Sequence, residues 1–364
     1  MISKLTDLTP LVCGPDQTVR DALERITQSG VLAQIVVNPD GTLYGTVTDA
    51  DVRRAILRGI KVEGPVRDCA HVKPIVGLEG QNAENIARLH AIPGLVPFLP
   101  IVDAERRLLE VWVRQPATPK MPALIMAGGR GARLGDLTRN TPKPLLDVAG
   151  APILEHVLRQ LEKGGSREIF ISVHHLSDQV RRFVEERRGA ARLSIVEETE
   201  PLGTAGAIAK IALEDAEGLI VANGDLVTQT DFHALELFHL RQGNDVTISA
   251  ASYEVSVPYG VIRHAPDGAF TGMEEKPDLT YMVAAGIYAL SPAAAALVPP
   301  DRRSDMPELI NRAKSIGLRV GVFPIHEYWR DVGQRHDLDA ARREHSEEAV
   351  RARLPGSSVS EEQQ

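Results

Sequence analysis

The residues able to do chemistry fall in a few short segments. Ala127-Gly128-Gly129-Arg130-Gly131-Ala132-Arg133-Leu134 follows the apolar run Ala123-Leu124-Ile125-Met126, and Thr141-Pro142-Lys143-Pro144 comes after a short gap. Glycines let a backbone turn sharply and bring its N–H groups onto phosphate oxygens. Arg133 and Lys143 add two cations where a polyphosphate would lie. Val221-Ala222-Asn223-Gly224-Asp225 puts an acid directly after an apolar run, and Tyr328-Trp329-Arg330-Asp331-Val332-Gly333 puts another in a partly apolar setting. Two such carboxylates converging beside a triphosphate make a Mg²⁺ site, with phosphate oxygens and water completing the shell. Either acid alone reads equally as a turn residue. Glu200-Pro201-Leu202-Gly203-Thr204-Ala205-Gly206-Ala207 is a small-residue loop opening a helix, suited to contact with a flat base. Glu274-Glu275-Lys276-Pro277 supplies a lysine for a second, anionic substrate. An ordinary helix start and a solvated charge cluster are the plain alternatives for these last two. His174-His175 invites a metal or acid/base reading, but adjacent side chains at a strand end point opposite ways.

These residues need a scaffold, and the pattern from Ala123 onward supplies one. Apolar strands are expected over Ile169 to Val173, Leu193 to Val196, Leu219 to Ala222, Val246 to Ala251 and Arg319 to Phe323, alternating with helical patterns. That order calls for an α/β fold with a mostly parallel sheet covered by helices on both faces. Ligands on such sheets sit at the carboxyl ends of strands, where the marked residues cluster. The preceding region holds an approximate internal repeat of helix, strand, turn and strand. The first copy runs from Thr18 through Ala33–Val37 and Leu43–Val47, and Thr48-Asp49-Ala50-Asp51 caps a further helix. The second runs over Ala83–Leu89, Phe98–Val102 and Leu108–Val113. Pro116 to Pro122 carries three prolines and reads as a linker. The expected organisation is therefore residues 1–117, a linker at 118–122, a catalytic region at 123–344, and a polar, disordered tail at 345–364.

Taken in order, the marked segments resemble the sugar-1-phosphate nucleotidyltransferase family: Gly-Gly-x-Gly-x-Arg-Leu with Pro-Lys-Pro, then Gly-Thr-Ala, Gly-Asp, Glu-Lys-Pro and Trp-x-Asp-x-Gly. The doubled unit before them resembles a CBS-domain pair, best in Gly45-Thr46-Val47-Thr48-Asp49-Ala50-Asp51. The resemblance implies a Rossmann-like nucleotide-diphospho-sugar transferase fold preceded by an α+β CBS pair. It further implies that Ala127, Gly128, Gly129 and Gly131 wrap the nucleotide, with Gly203 and Thr204 at its base. Arg133 and Lys143 would contact phosphates, Asp225 and Asp331 would hold Mg²⁺, and Lys276, Glu275 and Gly260 would meet the sugar phosphate. Thr48 and Asp51 would hold an adenine nucleotide, although the same pair also makes a capping arrangement; the second copy has neither residue in register. Three departures stand out: Ala132 replaces a threonine, Asp136 replaces a proline, and Ala284 in Val283-Ala284-Ala285-Gly286-Ile287-Tyr288 replaces an asparagine.

The implied reaction is transfer of a nucleotidyl group from an NTP to a sugar 1-phosphate, with GTP placed ahead of UTP and dTTP. A non-catalytic nucleotide sensor and a transferase for another phosphomonoester, such as phosphocholine, remain as other readings. Composition narrows the partners. Hydrophobic residues make up 43% and charged residues 25%, as in soluble globular proteins. A net charge of −8 without a basic block argues against nucleic acid. No apolar run nears the roughly 20 residues needed to span a bilayer. Cys13 and Cys69 have no metal-ligand spacing and read as free thiols in a reducing compartment. A cytoplasmic homo-oligomer without a membrane anchor is the expectation.

Overall fold

The structure, a computed structural model, describes residues 2–29, 31, 33–92, 97–114 and 121–353. Two compact units divide the chain: Met1–Pro119 with Ala234–Gly243, and Lys120–His233 with Asn244–Gln364. Most of the expected linker falls outside the described residues, as does 354–364 of the expected tail. The last helix, Arg335–Arg353, continues past residue 345, the expected start of the disordered tail.

In the first unit the repeat is exact in its spacing. Val12–Cys13 pairs parallel with Ala33–Val37, which pairs antiparallel with Leu43–Thr48. Gly77–Leu78, Phe98–Val102 and Leu108–Arg114 repeat that arrangement, each beginning 65 residues later (77−12, 98−33, 108−43). The irregularity between Val36 and Val37 recurs between Ile101 and Val102. Helices Val19–Ser29 and Asn82–Ala91 supply the crossovers between the parallel pairs. Strand Ile2–Leu5 adds to the second copy by pairing with Leu108–Arg114. The core unites Ile35, Leu43, Val102, Val111 and Val113 from both copies.

The second unit is built on a seven-stranded sheet. Its spatial order is Arg192–Glu197, Glu168–Val173, Ala123–Met126, Leu219–Asn223, Asp278–Leu290, Val246–Ser256 and Val320–Ile325. Four of the six neighbouring pairs are parallel, as expected for an α/β fold. The two antiparallel pairs both involve Asp278–Leu290, a strand the sequence pattern did not place. Its first half is largely exposed and its second half buried, so no single periodicity marks it. Ala123, Leu124, Ile125, Ile169 and Ile171 are buried and rich in branched residues, as strands covered on both faces require. Helix Ile153–Lys163 buries Ile153, Leu154, Val157, Leu158 and Leu161, the i, i+1, i+4, i+5, i+8 stripe of an amphipathic helix. Among the described residues no helix is long and apolar enough to cross a membrane.

Candidate active site

The glycine segment leaves the carboxyl end of Ala123–Met126, with the Ala127 N–H donating to the Ser172 carbonyl at 2.9 Å. Gly131 is left-handed at φ +63°, and a Cβ there would lie 2.9 Å from Thr138 Cγ2 and 3.1 Å from Lys143 Cβ. Glycine is therefore required by both conformation and space. Gly129 differs: a Cβ there would meet nothing within 4 Å, so the protein's own packing does not ask for glycine. The turn Ala132–Thr138 follows, with Arg133 exposed and without an ion pair among the described residues. Its Ala132 is exposed, and its Asp136 pairs with Arg139 at 2.5 Å on the surface, so both departures from the family pattern sit in solvent.

Lys143 starts a 3₁₀ turn behind Pro142 and is 7% exposed. Its Nζ donates to Asp225 Oδ2 at 2.5 Å. Asp225 follows strand Leu219–Asn223, where Gly224 allows the chain to press on the glycine segment: a Cβ there would lie 3.0 Å from the Met126 carbonyl oxygen. Short strands Leu226–Thr228 and Trp329–Asp331 pair antiparallel with Leu226 opposite Asp331, and the Val332 N–H donates to the Asp225 carbonyl at 3.0 Å. The two acids thus meet. Among the described residues, Asp225 Oδ1 and Asp331 Oδ1 are each buried without a hydrogen-bond partner. Burial pushes the Asp331 carboxyl up to about 6, the Asp225 charge adds to the rise, and Lys143 and Arg133 oppose it. Desolvated acids with free oxygens fit a divalent cation, which would supply the missing partner to both. Among the described residues no group of three or more His, Cys, Asp and Glu is placed to hold a metal, so phosphate oxygens and water would complete the shell.

An apolar cluster fixes this arrangement from below. Leu134, Leu146, Val227 and Val332 pack together with Leu338 and Ala341 of the last helix. Each of the first four lies within three residues of Arg133, Lys143, Asp225 or Asp331, so one core positions four chemical groups. Burying side chains of this size contributes about 1.5–3 kcal/mol each. The last helix adds a polar brace. Glu344 accepts from the Tyr328 hydroxyl at 2.9 Å and from Arg330 at 2.7 and 3.1 Å, tying one face of the Trp329–Asp331 strand to the last helix. Burial, then the Glu344 carboxylate, push the Tyr328 hydroxyl up to about 12, so it stays a donor.

The other expected residues form separate groups. Thr204 Oγ1 accepts from the Met306 N–H at 2.8 Å, and the Thr204 N–H donates to Asp305 Oδ1 at 3.0 Å. That N–H holds the Asp305 carboxyl below the usual range. Gly203 is left-handed at φ +79°, and a Cβ would lie 2.6 Å from Ser304 O. Both residues therefore anchor their loop to helix Met306–Ser315. Lys276 is itself left-handed at φ +46°, donates its N–H to the Tyr259 carbonyl at 3.3 Å, and adjoins Glu275, whose Oε2 lies 2.9 Å from a Cβ built on Gly260. These three are together, on a ribbon that no hydrogen bond or ion pair joins to Asp225 or Asp331 among the described residues. In the first unit, Thr48 and Asp51 form a complete capping box, and Thr48 Oγ1 donates to Asp51 Oδ2 at 2.6 Å. Arg54 pairs with Asp51 at 2.5 Å, so these side chains engage each other.

Glu198 is a residue the sequence did not single out. It is 7% exposed below Gly128, takes a hydrogen bond from Ser172, and accepts from the Leu202 N–H at 2.8 Å. It thereby couples the glycine segment to the Gly203 loop. His174 Nδ1 donates to the Glu198 carbonyl at 3.0 Å, which gives that histidine a structural role separate from His175. Glu198 lies in a run of acids that reads as solvated, and only its position ahead of the small-residue loop marks it.

The nucleotidyl transferase family model matches residues 122–348, and the CBS domain model matches residues 3–58. The chain is 31% identical over 243 residues to the mannose-1-phosphate guanylyltransferase catalytic subunit beta of Xenopus tropicalis, covering 62% of this chain and 67% of that one. It is 33% identical over 227 residues to the subunit of the same name from Drosophila melanogaster, covering 59% of this chain and 60% of that one. Among solved structures, HddC from Yersinia pseudotuberculosis complexed with GMP-PN aligns with a TM-score of 0.49 and 25% identity, over 62% of this chain and 99% of that one.

Proposed function

We propose that this chain, which belongs to the nucleotidyl transferase family, transfers GMP from GTP to a sugar 1-phosphate, giving a GDP-sugar and pyrophosphate. The observation that carries the reading is the pair of half-buried carboxylates, Asp225 and Asp331, each with a buried Oδ1, with Lys143 bonded to Asp225 beside the glycine segment. Guanylyltransferases among the relatives favour GTP over UTP and dTTP, and make mannose 1-phosphate the first acceptor to try.

A phosphate oxygen of the sugar 1-phosphate attacks the α-phosphorus in line, and pyrophosphate leaves. That oxygen is already anionic at neutral pH, so no general base is needed. The protein's task is to hold two mutually repelling anions and neutralise charge that develops on transfer. The open space at Gly129 lets the backbone approach the phosphates without a Cβ between. Arg133, exposed and without an ion pair among the described residues, is available to the triphosphate. Lys143 is held by Asp225 at the mouth of the glycine segment, and Lys276, kept in a left-handed conformation, would meet the sugar phosphate. When bound, Mg²⁺ would be held by Asp225 and Asp331 and would supply electrostatic stabilisation of phosphate charge. Gly203 and Thr204 would line the base with backbone groups, since the Thr204 hydroxyl already caps a helix.

A pyrophosphate-release screen tests this: ATP, GTP, CTP, UTP and dTTP against a panel of sugar 1-phosphates and phosphocholine, with Mg²⁺. Release with GTP and a hexose 1-phosphate is the expected result. Release only with phosphocholine would move the substrate class, and none with any pair would favour a non-catalytic sensor.

A further inference from the structure

Asn223 stands where the parallel half of the sheet meets the antiparallel strand. It ends strand Leu219–Asn223, two residues before Asp225, and pairs with Met126 on the side of the glycine segment. Its side chain lies on the other side, against Gly286 of strand Asp278–Leu290. A Cβ on Gly286 would fall 2.5 Å from Asn223 Nδ2 and 2.9 Å from its Cγ. Gly286 is left-handed at φ +70°, so this position combines a conformation that suits glycine with space taken by the carboxamide.

The strand is irregular at the same place. Between Ile248 opposite Tyr288 and Ala250 opposite Ala284, it advances four residues while its partner advances two. Bulges of this kind re-aim side chains and are frequent beside active sites. The bulged stretch, Val283-Ala284-Ala285-Gly286-Ile287, offers no polar side chain, and Ala284 is exposed. The Trp329 indole N–H donates to the Ala285 carbonyl at 2.8 Å, and Asn223 is the polar side chain packed against Gly286. Its carboxamide is part-exposed and makes no hydrogen bond among the described residues. The strand it leans on runs back to Asp278, next to Lys276 and Pro277. The carboxamide, without a hydrogen-bond partner among the described residues, thus lies against the strand that leads back to Lys276.

We propose that Asn223 is a specificity-determining residue of the acceptor subsite, hydrogen-bonding a hydroxyl of the sugar 1-phosphate; this rests on the reaction proposed above. A carboxamide both donates and accepts, so it can read one hydroxyl by donation or acceptance. Removing it leaves that hydroxyl without a partner and lowers acceptor use with little effect on the nucleotide.

The test uses the full chain with GTP, Mg²⁺, mannose 1-phosphate and its monodeoxy analogues. Asn223→Ala is expected to lower kcat/KM for mannose 1-phosphate about tenfold, with the KM for GTP unchanged. One monodeoxy analogue should be a poor substrate for the wild type, and its penalty should vanish in Asn223→Ala. An active wild type whose penalty for every deoxy analogue persists in the variant would overturn the assignment while leaving the reaction standing. A rise in the GTP KM equal to the loss on the acceptor would also overturn it. A wild type inactive with every NTP and sugar 1-phosphate would overturn the reaction itself, and the assignment with it. Asn223→Ser, with a smaller polar side chain, repeats the comparison if the alanine variant does not fold.

Discussion

At the scale of single residues, the pairing of Lys143 with Asp225 makes stability and activity separable. Lys143→Met leaves a mostly buried carboxylate without its cation. Removing one partner of a buried pair costs about 3–5 kcal/mol. Asp225 keeps about a quarter of its side chain exposed, which reduces this to about 1–3 kcal/mol. Asp225→Asn keeps an oxygen for Lys143, and the nearby Asp331 keeps a negative charge acting on that lysine, so it should change stability by about 1 kcal/mol or less, yet remove one of two proposed metal ligands. We expect Lys143→Met to lower both melting temperature and turnover, and Asp225→Asn to lower turnover by at least about 100-fold with nearly native melting. Thermal melts and pyrophosphate release on both variants check this. Unimpaired release by Asp225→Asn would remove the metal assignment. The same reasoning explains why some site residues were legible in the sequence and others were not. Asp225 and Asp331 follow apolar runs at strand ends, a local signal. Thr204 owes its contacts to Asp305 and Met306, about 100 residues away, and no local pattern announces such a partner.

At the scale of elements, Arg187 staples helix Ile153–Lys163 to the segment entering strand Arg192–Glu197. Its guanidinium meets Glu155 at 2.6 Å and Glu162 at 2.8 Å, with all three side chains largely buried. Hydrogen bonding from Arg187 lowers the Glu162 carboxyl. Burial raises Glu155, but Arg187 and Arg159 outweigh it and the net direction is down. Folded values below the unfolded ones mean that the stabilisation is present above the ordinary glutamate pKa, about 4.3, and is lost as pH falls through the folded values. Arg187→Met should therefore cost about 3–5 kcal/mol near neutrality, and the gap to wild type should shrink below about pH 4. Denaturant melts from pH 7 to 3 measure it; a gap independent of pH would contradict the pairing. The parallel strands beneath this staple were legible because they are continuous apolar runs. Strand Asp278–Leu290 was not, because half of it is an exposed arm and half is core, and a glycine interrupts the join. Glu344 was hidden for a related reason: its acid belongs to a polar helix, and only tertiary structure shows it holding Tyr328 and Arg330.

At the scale of the whole molecule, a CBS domain and a nucleotidyl transferase domain share one chain. The 65-residue spacing sets Val113 in register with Thr48 and Pro116 in register with Asp51, so the residues proposed to hold an adenine nucleotide occur in one copy only. We propose that this copy regulates turnover. AMP or ATP should then shift the kinetics, and Asp51→Ala should remove the shift. Kinetics that ignore both nucleotides would leave the doubled unit a structural module. The central claim concerns the other domain: its half-buried acids and buried lysine beside a glycine segment are proposed to direct attack to the α-phosphorus. Phosphorus NMR of the wild type with GTP, mannose 1-phosphate and Mg²⁺ tests this most directly. The account predicts pyrophosphate and the paired resonances of a GDP-sugar, appearing together and only when both substrates are present. GDP and inorganic phosphate formed from GTP alone, with no diphosphate-linked sugar, would contradict it.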